Sequence, residues 1–362
     1  MPRSRRALLR SQLHAAVILG ATLDLPGTSL LSRLRRRPRT EDNVVAGVPV
    51  TTVRPASKPP WPALVFMNGA TPDGRAHPMV LRLALALART GHLVLIPDLP
   101  GVAGGELSPA TLATATAFTK AAADMPEAAH GRVALAGVSV GGSLALLAAA
   151  DPAVAERVSV VVCVAPYTDL AKVMLLATTG TYREDGELLP YAVPPYLAVG
   201  LARSLVAMLP PTAWTARLLE ELRGLDPESA GALEFREGAF GAISEEAVTL
   251  YGLLANHDPA RFDELFAALP AEVQATCADL SPLHVAAKLR APVEIATAPR
   301  DRYFPVAESQ ALVAAAPDVR LTVTSLLAHA TPQLSPRYLS ELRHLNGFFV
   351  RALDSATRPV RD

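Results

Sequence analysis

The sequence predicts an α/β fold in which a mostly parallel, twisted sheet carries helices on both faces. Nearly continuous apolar runs, typical of parallel strands buried on both faces, recur along the chain and alternate with helix-like segments. This alternation requires βαβ units whose right-handed crossovers cover both faces of the sheet. The expected strands are 43–53, 63–68, 92–97, 132–138, 158–164, 293–298 and 320–325, and the expected helices are 78–90, 109–124, 140–150, 306–315 and 336–353.

One long interval interrupts the alternation. More than a hundred residues separate the strand that ends near Pro166 from the one that starts at Val293, and they are helix-like with proline and glycine breaks. A connection this long is not structureless inside a compact fold. We therefore divide the chain into a basic leader (1–40), a core (41–166 and 282–362) and an inserted helical cap or lid (167–281). The apolar stretches 173–177, 196–201 and 205–209 of the cap either line a pocket or pack against the core.

Charge is balanced over the whole chain but uneven along it. Lys and Arg together number 34, as do Asp and Glu, yet residues 1–40 hold nine arginines against one acid, Asp24. A basic tail on an acidic body is either a solvated extension or a weak contact with an anionic membrane surface. The apolar stretch 15–23 is too short to span a bilayer and is followed by no convincing cleavage site. We therefore expect an amphipathic or frayed leader that lies either on the core or on a membrane surface, rather than an export signal. The expected location is cytoplasmic, with weak membrane-surface contact through the basic N-terminal segment.

Composition also excludes several classes of function. Aromatic residues make up 5% of the chain, too few for a base-stacking platform, so no nucleic-acid partner is expected. Two cysteines, Cys163 and Cys277, define neither a disulfide framework nor a metal site. The chain also lacks a phosphate-cradling glycine loop and a dinucleotide fingerprint, and we expect no cofactor and no metal.

The pentapeptide Gly137-Val138-Ser139-Val140-Gly141 lies between an apolar run and an alanine-rich helical stretch. This is a G-x-S-x-G nucleophile elbow in the strand–turn–helix setting that it requires. The tight turn lifts the Ser139 hydroxyl clear of the sheet edge, and the amide of Val140 lies at the N-terminus of a helix, where negative charge is favoured. The alternative is a glycine-rich turn whose serine only caps the helix.

A nucleophilic serine needs a base, and the base needs an orienting acid. Among eight histidines, His329 follows the last predicted strand, where open α/β sheets place their sites. Asp301 follows the preceding strand, although its two arginine neighbours also fit an exposed ion pair. Asp169, after the strand of Cys163, is the second choice for the acid. The chain order Ser139, Asp301, His329 is that of a known hydrolase triad.

An oxyanion hole needs two backbone N–H groups. Val140 supplies one in this hypothesis. The other comes from the small-residue loop at 68–74, with Ala70 as first choice and Gly69 as second; the alternative is a simple glycine-bearing turn. His77 and Arg75 follow this loop and either border the pocket mouth or lie exposed.

Five motifs together resemble those of the α/β-hydrolase family, and the resemblance covers residues 44–353. They are the elbow, NGAT at 68–71, IPDLPG at 96–101, APRDRYFP at 298–305 and LLAHATP at 326–332. The resemblance implies the α/β-hydrolase fold and an acyl-enzyme mechanism with Ser139 as nucleophile, His329 as base and Asp301 as orienting acid. Asn68-Gly69 stands where many members have His-Gly. A serine at the elbow argues against the branches that use a carboxylate nucleophile.

The leading functional hypothesis is a serine hydrolase of carboxylic esters with an acyl or other apolar substrate, and the expected partner is a small-molecule ester. Amide or peptide cleavage and acyl transfer share the acyl-enzyme intermediate, so the triad cannot separate them from ester hydrolysis. A non-catalytic binding protein that retains the fold is the third alternative.

Overall fold

The computed structural model describes residues 5–22, 37–225, 245–328, 331–332 and 341–357. Its centre is a sheet of eight strands that are joined in the order β1-β2-β4-β3-β5-β6-β9-β10. The strands from β4 to β10 in this order run parallel, whereas β1 and β2 form an antiparallel edge. The strand bounds are β1 Arg39–Val45, β2 Val48–Arg54, β3 Trp61–Met67, β4 Leu93–Pro97, β5 Ala128–Val138, β6 Val158–Val164, β7 Thr181–Glu184, β8 Glu187–Pro190, β9 Val293–Thr297, β10 Val319–Val323, β11 Leu327–Ala328 and β12 Thr331–Pro332.

Helices follow most strands of the sheet. Val140–Ala150 and Val306–Ala315 have the predicted bounds, and the predicted helices 78–90 and 109–124 are each one residue shorter. The last helix begins at Leu342 rather than Pro336, and residues 336–340 lie outside the described part of the chain. The helix bounds are α1 Arg5–Thr22, α2 Pro78–Arg89, α3 Pro109–Ala123, α4 Val140–Ala150, α5 Leu170–Thr179, α6 Pro195–Met208, α7 Ala213–Gly224, α8 Glu245–Leu254, α9 Phe262–Ala267, α10 Ala271–Asp279, α11 Pro282–Val285, α12 Val306–Ala315 and α13 Leu342–Ala356.

The two faces of the sheet carry different side chains, because neighbouring residues of a strand point to opposite sides. On β5, Val133 and Leu135 belong to the large core cluster that includes α3, α4 and α5. Ala134 and Ala136 belong to a second cluster, which α1, α2 and α13 form with the sheet. The central strand therefore presents large residues to one helical layer and alanines to the other.

Two β-hairpins correct the sequence interpretation. The predicted strand 43–53 is two antiparallel strands, β1 and β2, joined by Ala46 (φ 50°) and Gly47 (φ 79°). In the interval predicted to be helical, β7 and β8 pair through Asp185 (φ 50°) and Gly186 (φ 85°). Two consecutive residues with positive φ form the tight turn that matches the twist of a hairpin.

Helix α1 lies in the segment 1–40 that was set apart as a leader. Ala15 and Ile18 are fully buried, and the helix packs against α2 and α13. This part of the segment therefore lies on the core, which is one of the two positions expected for it, and the boundary at residue 40 stays a prediction. Within the described residues no helix combines the length and apolarity needed to cross a membrane.

Helices α5 to α10 lie between β6 and β9 in the chain. Apolar residues of this interval, including Met174 and Leu205, are fully buried in the same core cluster as α4. These stretches therefore pack against the core. The boundaries 167–281 and the function of this segment as a cap stay predictions.

Candidate active site

Ser139 occupies a strained turn between β5 and α4. Its backbone has φ 54° and ψ −127°, a conformation rarely adopted by residues that carry a side chain. The Ser139 amide donates to the carbonyl of Val164 on the neighbouring strand at 2.8 Å, and the Ser139 carbonyl accepts from the amides of Gly142 and Ser143. These bonds hold the serine at the carboxyl end of the sheet while helix α4 begins at the next residue.

Both flanking glycines are required by backbone packing. A Cβ on Gly137 would lie 2.2 Å from the carbonyl oxygen of Gly141, and a Cβ on Gly141 would lie 2.2 Å from the carbonyl oxygen of Met67. No flexible side chain is involved in either contact, so nothing can move aside cheaply. The elbow is therefore built by the close approach of β3, β5 and the first turn of α4.

The loop after β3 lies against this elbow. A Cβ on Gly69 would be 3.5 Å from the Cβ of Ser139, and Gly69, Ala70 and Ser139 line one cavity. The strand order reverses at β3, which has β4 on one side and β5 on the other, and such switch points form ligand crevices. The amide of Val140 is the first N–H of α4 and has no acceptor within the helix. The assignment of Val140, Ala70 and Gly69 to an oxyanion hole stays a prediction.

Asp301 follows β9 at the same end of the sheet. The residue is 5% exposed, and its Oδ1 accepts from the amides of Tyr303 and Phe304 at 2.9 and 3.1 Å. The Tyr191 hydroxyl, between β8 and α6, donates to the Asp301 carbonyl. These contacts fix the loop that carries the carboxylate.

Asp169, the second choice for the acid, follows β6 and caps a helix. Its Oδ1 accepts from the amides of Ala171 and Lys172, at 3.0 and 3.4 Å, in the first turn of α5. A carboxylate in this position satisfies two of the otherwise unpaired N–H groups of a helix N-terminus. The observed contacts therefore give Asp169 a structural role.

His329, the predicted base, lies outside the described residues. The described chain next to it reaches the site, because Leu327 lines the same cavity as Ser139. Leu327 pairs with Pro332 across β11 and β12. His77 also lines this cavity, whereas Arg75 bonds to Asp42 and Thr51 at the antiparallel edge of the sheet.

The cavity next to Ser139 has a volume of about 450 Å³ and is lined mainly by apolar side chains. It extends from the carboxyl end of the sheet between the alanine-bearing face of the sheet and helices α1, α2 and α13. Described lining residues that show this extent are Ser139, Val138, Ala136, Ala134, Leu83, Leu87, Ile18, Ala21, Phe349 and Leu353.

His92, directly before β4, borders this cavity. Its side chain is buried, and Nδ1 lies 3.0 Å from the Thr90 hydroxyl. Burial, together with smaller contributions from the nearby His14 and Arg10, lowers the pKa of His92 to about 4. The imidazole is therefore neutral at pH 7.

Neither cysteine offers a reactive thiolate. Cys163 and Cys277 are both buried, and burial raises the pKa of each thiol, to about 12 for Cys277. In the described part of the chain, no three His, Cys, Asp or Glu residues are placed to hold a metal ion. The assignment of Ser139 as the nucleophile stays a prediction.

Comparison with known proteins identifies the family. Residues 64–342 match the model of the alpha/beta hydrolase family, and this chain belongs to it. No sequence of a curated protein matches this chain.

Solved structures share the fold at low sequence identity. Dipeptidyl peptidase 4 of Porphyromonas gingivalis aligns with a TM-score of 0.50 and 13% identity, over 90% of this chain and 37% of that one. An acylaminoacyl peptidase in complex with a chloromethyl ketone has the same TM-score and identity, over 87% of this chain and 41% of that one. This chain thus spans about two fifths of the length of those peptidases. Est1E from Butyrivibrio proteoclasticus aligns with a TM-score of 0.47 and 15% identity, over 87% of this chain and 98% of that one.

Proposed function

We propose that this protein is a serine hydrolase that cleaves carboxylic esters with apolar acyl groups. The observation that carries the proposal is a serine held in a strained elbow that borders a large, mainly apolar cavity. An apolar lining favours a hydrocarbon group over a peptide, whose amide groups would lose hydrogen bonds with water on entering it.

In the proposed mechanism the Ser139 hydroxyl attacks the ester carbonyl. His329 takes the hydroxyl proton, and Asp301 orients the imidazole. The amides of Val140 and Ala70, or Gly69 in its place, stabilise the oxyanion of the tetrahedral intermediate. His329 then gives the proton to the leaving alcohol, and water releases the acid from the acyl-enzyme.

A fluorophosphonate probe tests this chemistry, because it reacts covalently with an activated serine. We expect labelling of the wild type, loss of labelling in Ser139→Ala, and hydrolysis of p-nitrophenyl esters in preference to aminoacyl anilides. A preference for anilides would favour the peptidase alternative. Folded protein that neither reacts with the probe nor hydrolyses any ester would refute the proposal and support a binding function.

The identity of the base needs a separate comparison, since His77 also lines the cavity. We expect His329→Ala to abolish labelling and ester hydrolysis, while His77→Ala retains most of both. The reverse result would assign the base to His77.

Weak contact with an anionic membrane surface through the N-terminal segment is a second part of the proposal. Leu9 and Leu13 lie one helical turn apart on α1 and are 63% and 62% exposed, next to an arginine-rich sequence. We expect binding to phosphatidylglycerol vesicles and little binding to phosphatidylcholine vesicles in flotation assays. Equal flotation of wild type and a Leu9→Glu, Leu13→Glu double variant would exclude this contact.

A further inference from the structure

We infer that the acyl chain of the substrate lies along the alanine-bearing face of the sheet, under helices α1, α2 and α13, and that the substrates are long-chain acyl esters. The inference rests on the proposed function, because it needs Ser139 to be the nucleophile. It adds a binding path and a length of acyl chain that the elbow alone does not define.

The first argument is the course of the cavity. Ser139 and Gly69 line its end at the carboxyl edge of the sheet, and Ala134 and Leu87 line it deeper in the molecule. The described lining includes no residue of α5 to α11, the helices between β6 and β9. An apolar chain attached to Ser139 therefore finds its space on the face of the sheet and not among those helices.

The second argument is how the space arises. Three alanines of the sheet line the cavity: Ala134 and Ala136 of β5 and Ala296 of β9. Their chain neighbours Leu135 and Ile295 face the densely packed opposite layer. Alanine at adjacent positions on one face removes the side-chain volume that would otherwise fill the gap beneath the helices. The cavity thus lies where alanines of β5 and β9 face the helices.

The third argument is the outer wall. Ile18, Ala21 and Thr22 of α1 line the cavity, so the N-terminal helix closes the space between α2 and α13. Ile18 is fully buried, while Ala21 is only half-buried. This gives the N-terminal segment a role in substrate binding.

The depth of the cavity predicts a chain length. From Ser139 to Ala136 is three strand residues, or roughly 10 Å, and to Ala134 is five residues, or roughly 16 Å. Carbon–carbon bonds of about 1.5 Å at tetrahedral angles advance an extended chain by roughly 1.25 Å per carbon. Ala136 therefore lies beside about carbon 8 of a bound acyl chain and Ala134 beside about carbon 13.

The test measures kcat/KM for p-nitrophenyl esters from acetate to palmitate. Ala136→Leu should retain butyrate activity within about twofold and lose activity on chains longer than about 8 carbons, since each buried methylene is worth roughly fourfold. Ala134→Leu should retain the octanoate ester and lose activity only beyond about 12 carbons. The control Ala84→Leu is buried in the same layer but outside the described lining, and should leave the profile unchanged.

A second pair of variants tests the wall without altering the sheet. Ala21→Trp should reduce long-chain hydrolysis, whereas Ala16→Trp, on the exposed side of the same helix, should not. Thermal unfolding identifies variants that fail to fold, and labelling by an ethyl fluorophosphonate reports an intact Ser139. Normal labelling and butyrate activity with identical chain-length profiles in all variants would overturn the inference and leave the proposed function standing. Absence of labelling and ester hydrolysis in the wild type would overturn both.

Discussion

The buried His92 predicts a specific loss of stability at mildly acidic pH. The environment of its side chain lowers the pKa from 6.5 to about 4, chiefly through burial. The unfolded chain therefore binds a proton more readily than the folded chain between these two values. The contribution of His92 to the free energy of unfolding is complete above pH 6.5 and is lost as the pH falls towards 4.

The size of this effect follows from the difference between the two pKa values. At about 1.4 kcal/mol per pKa unit, the interval from 6.5 to about 4 corresponds to roughly 3 kcal/mol over the whole window. Between pH 7 and pH 5, the same linkage relation gives a loss of about 2 kcal/mol. Carboxylates also titrate in this range, so the wild-type curve alone does not isolate His92.

Urea unfolding of wild type and His92→Gln at pH 7, 6 and 5 isolates the contribution. Gln has no proton to gain, so the difference in free energy of unfolding between the two proteins should shift by about 2 kcal/mol in favour of the variant from pH 7 to pH 5. His284→Gln, the same substitution at an exposed histidine, is the matched control. A constant difference between wild type and His92→Gln across this range would refute the argument.

Three further substitutions test the site. Gly141→Ala places a Cβ 2.2 Å from the carbonyl oxygen of Met67. We expect this variant to lose about 3 kcal/mol or more of its free energy of unfolding, measured in urea. The control Gly224→Ala, which has open space around its Cβ, should change that free energy little. Asp301→Asn should lower kcat for a butyrate ester by about 10³–10⁴-fold. Asp169→Asn should lower kcat less than tenfold and lower the free energy of unfolding by up to about 1 kcal/mol, since that carboxylate caps a helix. A larger loss of kcat in Asp169→Asn than in Asp301→Asn would make Asp169 the acid.

Where local patterns decide the structure, the sequence predicted it well. β6 and α4 have their predicted bounds because a nearly continuous apolar run and an elbow glycine pair leave no alternative nearby. The turn at Ala46-Gly47 was missed because alanine seldom adopts positive φ, so an apolar run seemed continuous. The Asp185-Gly186 turn carried a recognisable hairpin signal that the surrounding helical pattern obscured.

The candidate site was only partly predictable. Ser139 and Asp301 follow from their positions after parallel strands, and the structure puts both at the carboxyl end of the sheet. The cavity could not be foreseen, because alanine is common in strands and helices alike. Only the three-dimensional packing shows that Ala134, Ala136 and Ala296 share one face beneath α1.

β5 presents large side chains to one helical layer and alanines to the other. The space beside the alanines implies a compromise between stability and function. Cavities leave their lining atoms without packing partners, so filling one with apolar side chains increases stability where the added group fits. Leucine at Ala136 should therefore raise the melting temperature or leave it unchanged, while it shortens the acyl chains that the protein accepts. If the same substitution lowered stability as overpacking does, by about 1–3 kcal/mol, the space beside Ala136 would be too small for an acyl chain as well. Stability and chain-length preference thus provide two independent measurements of the same empty volume.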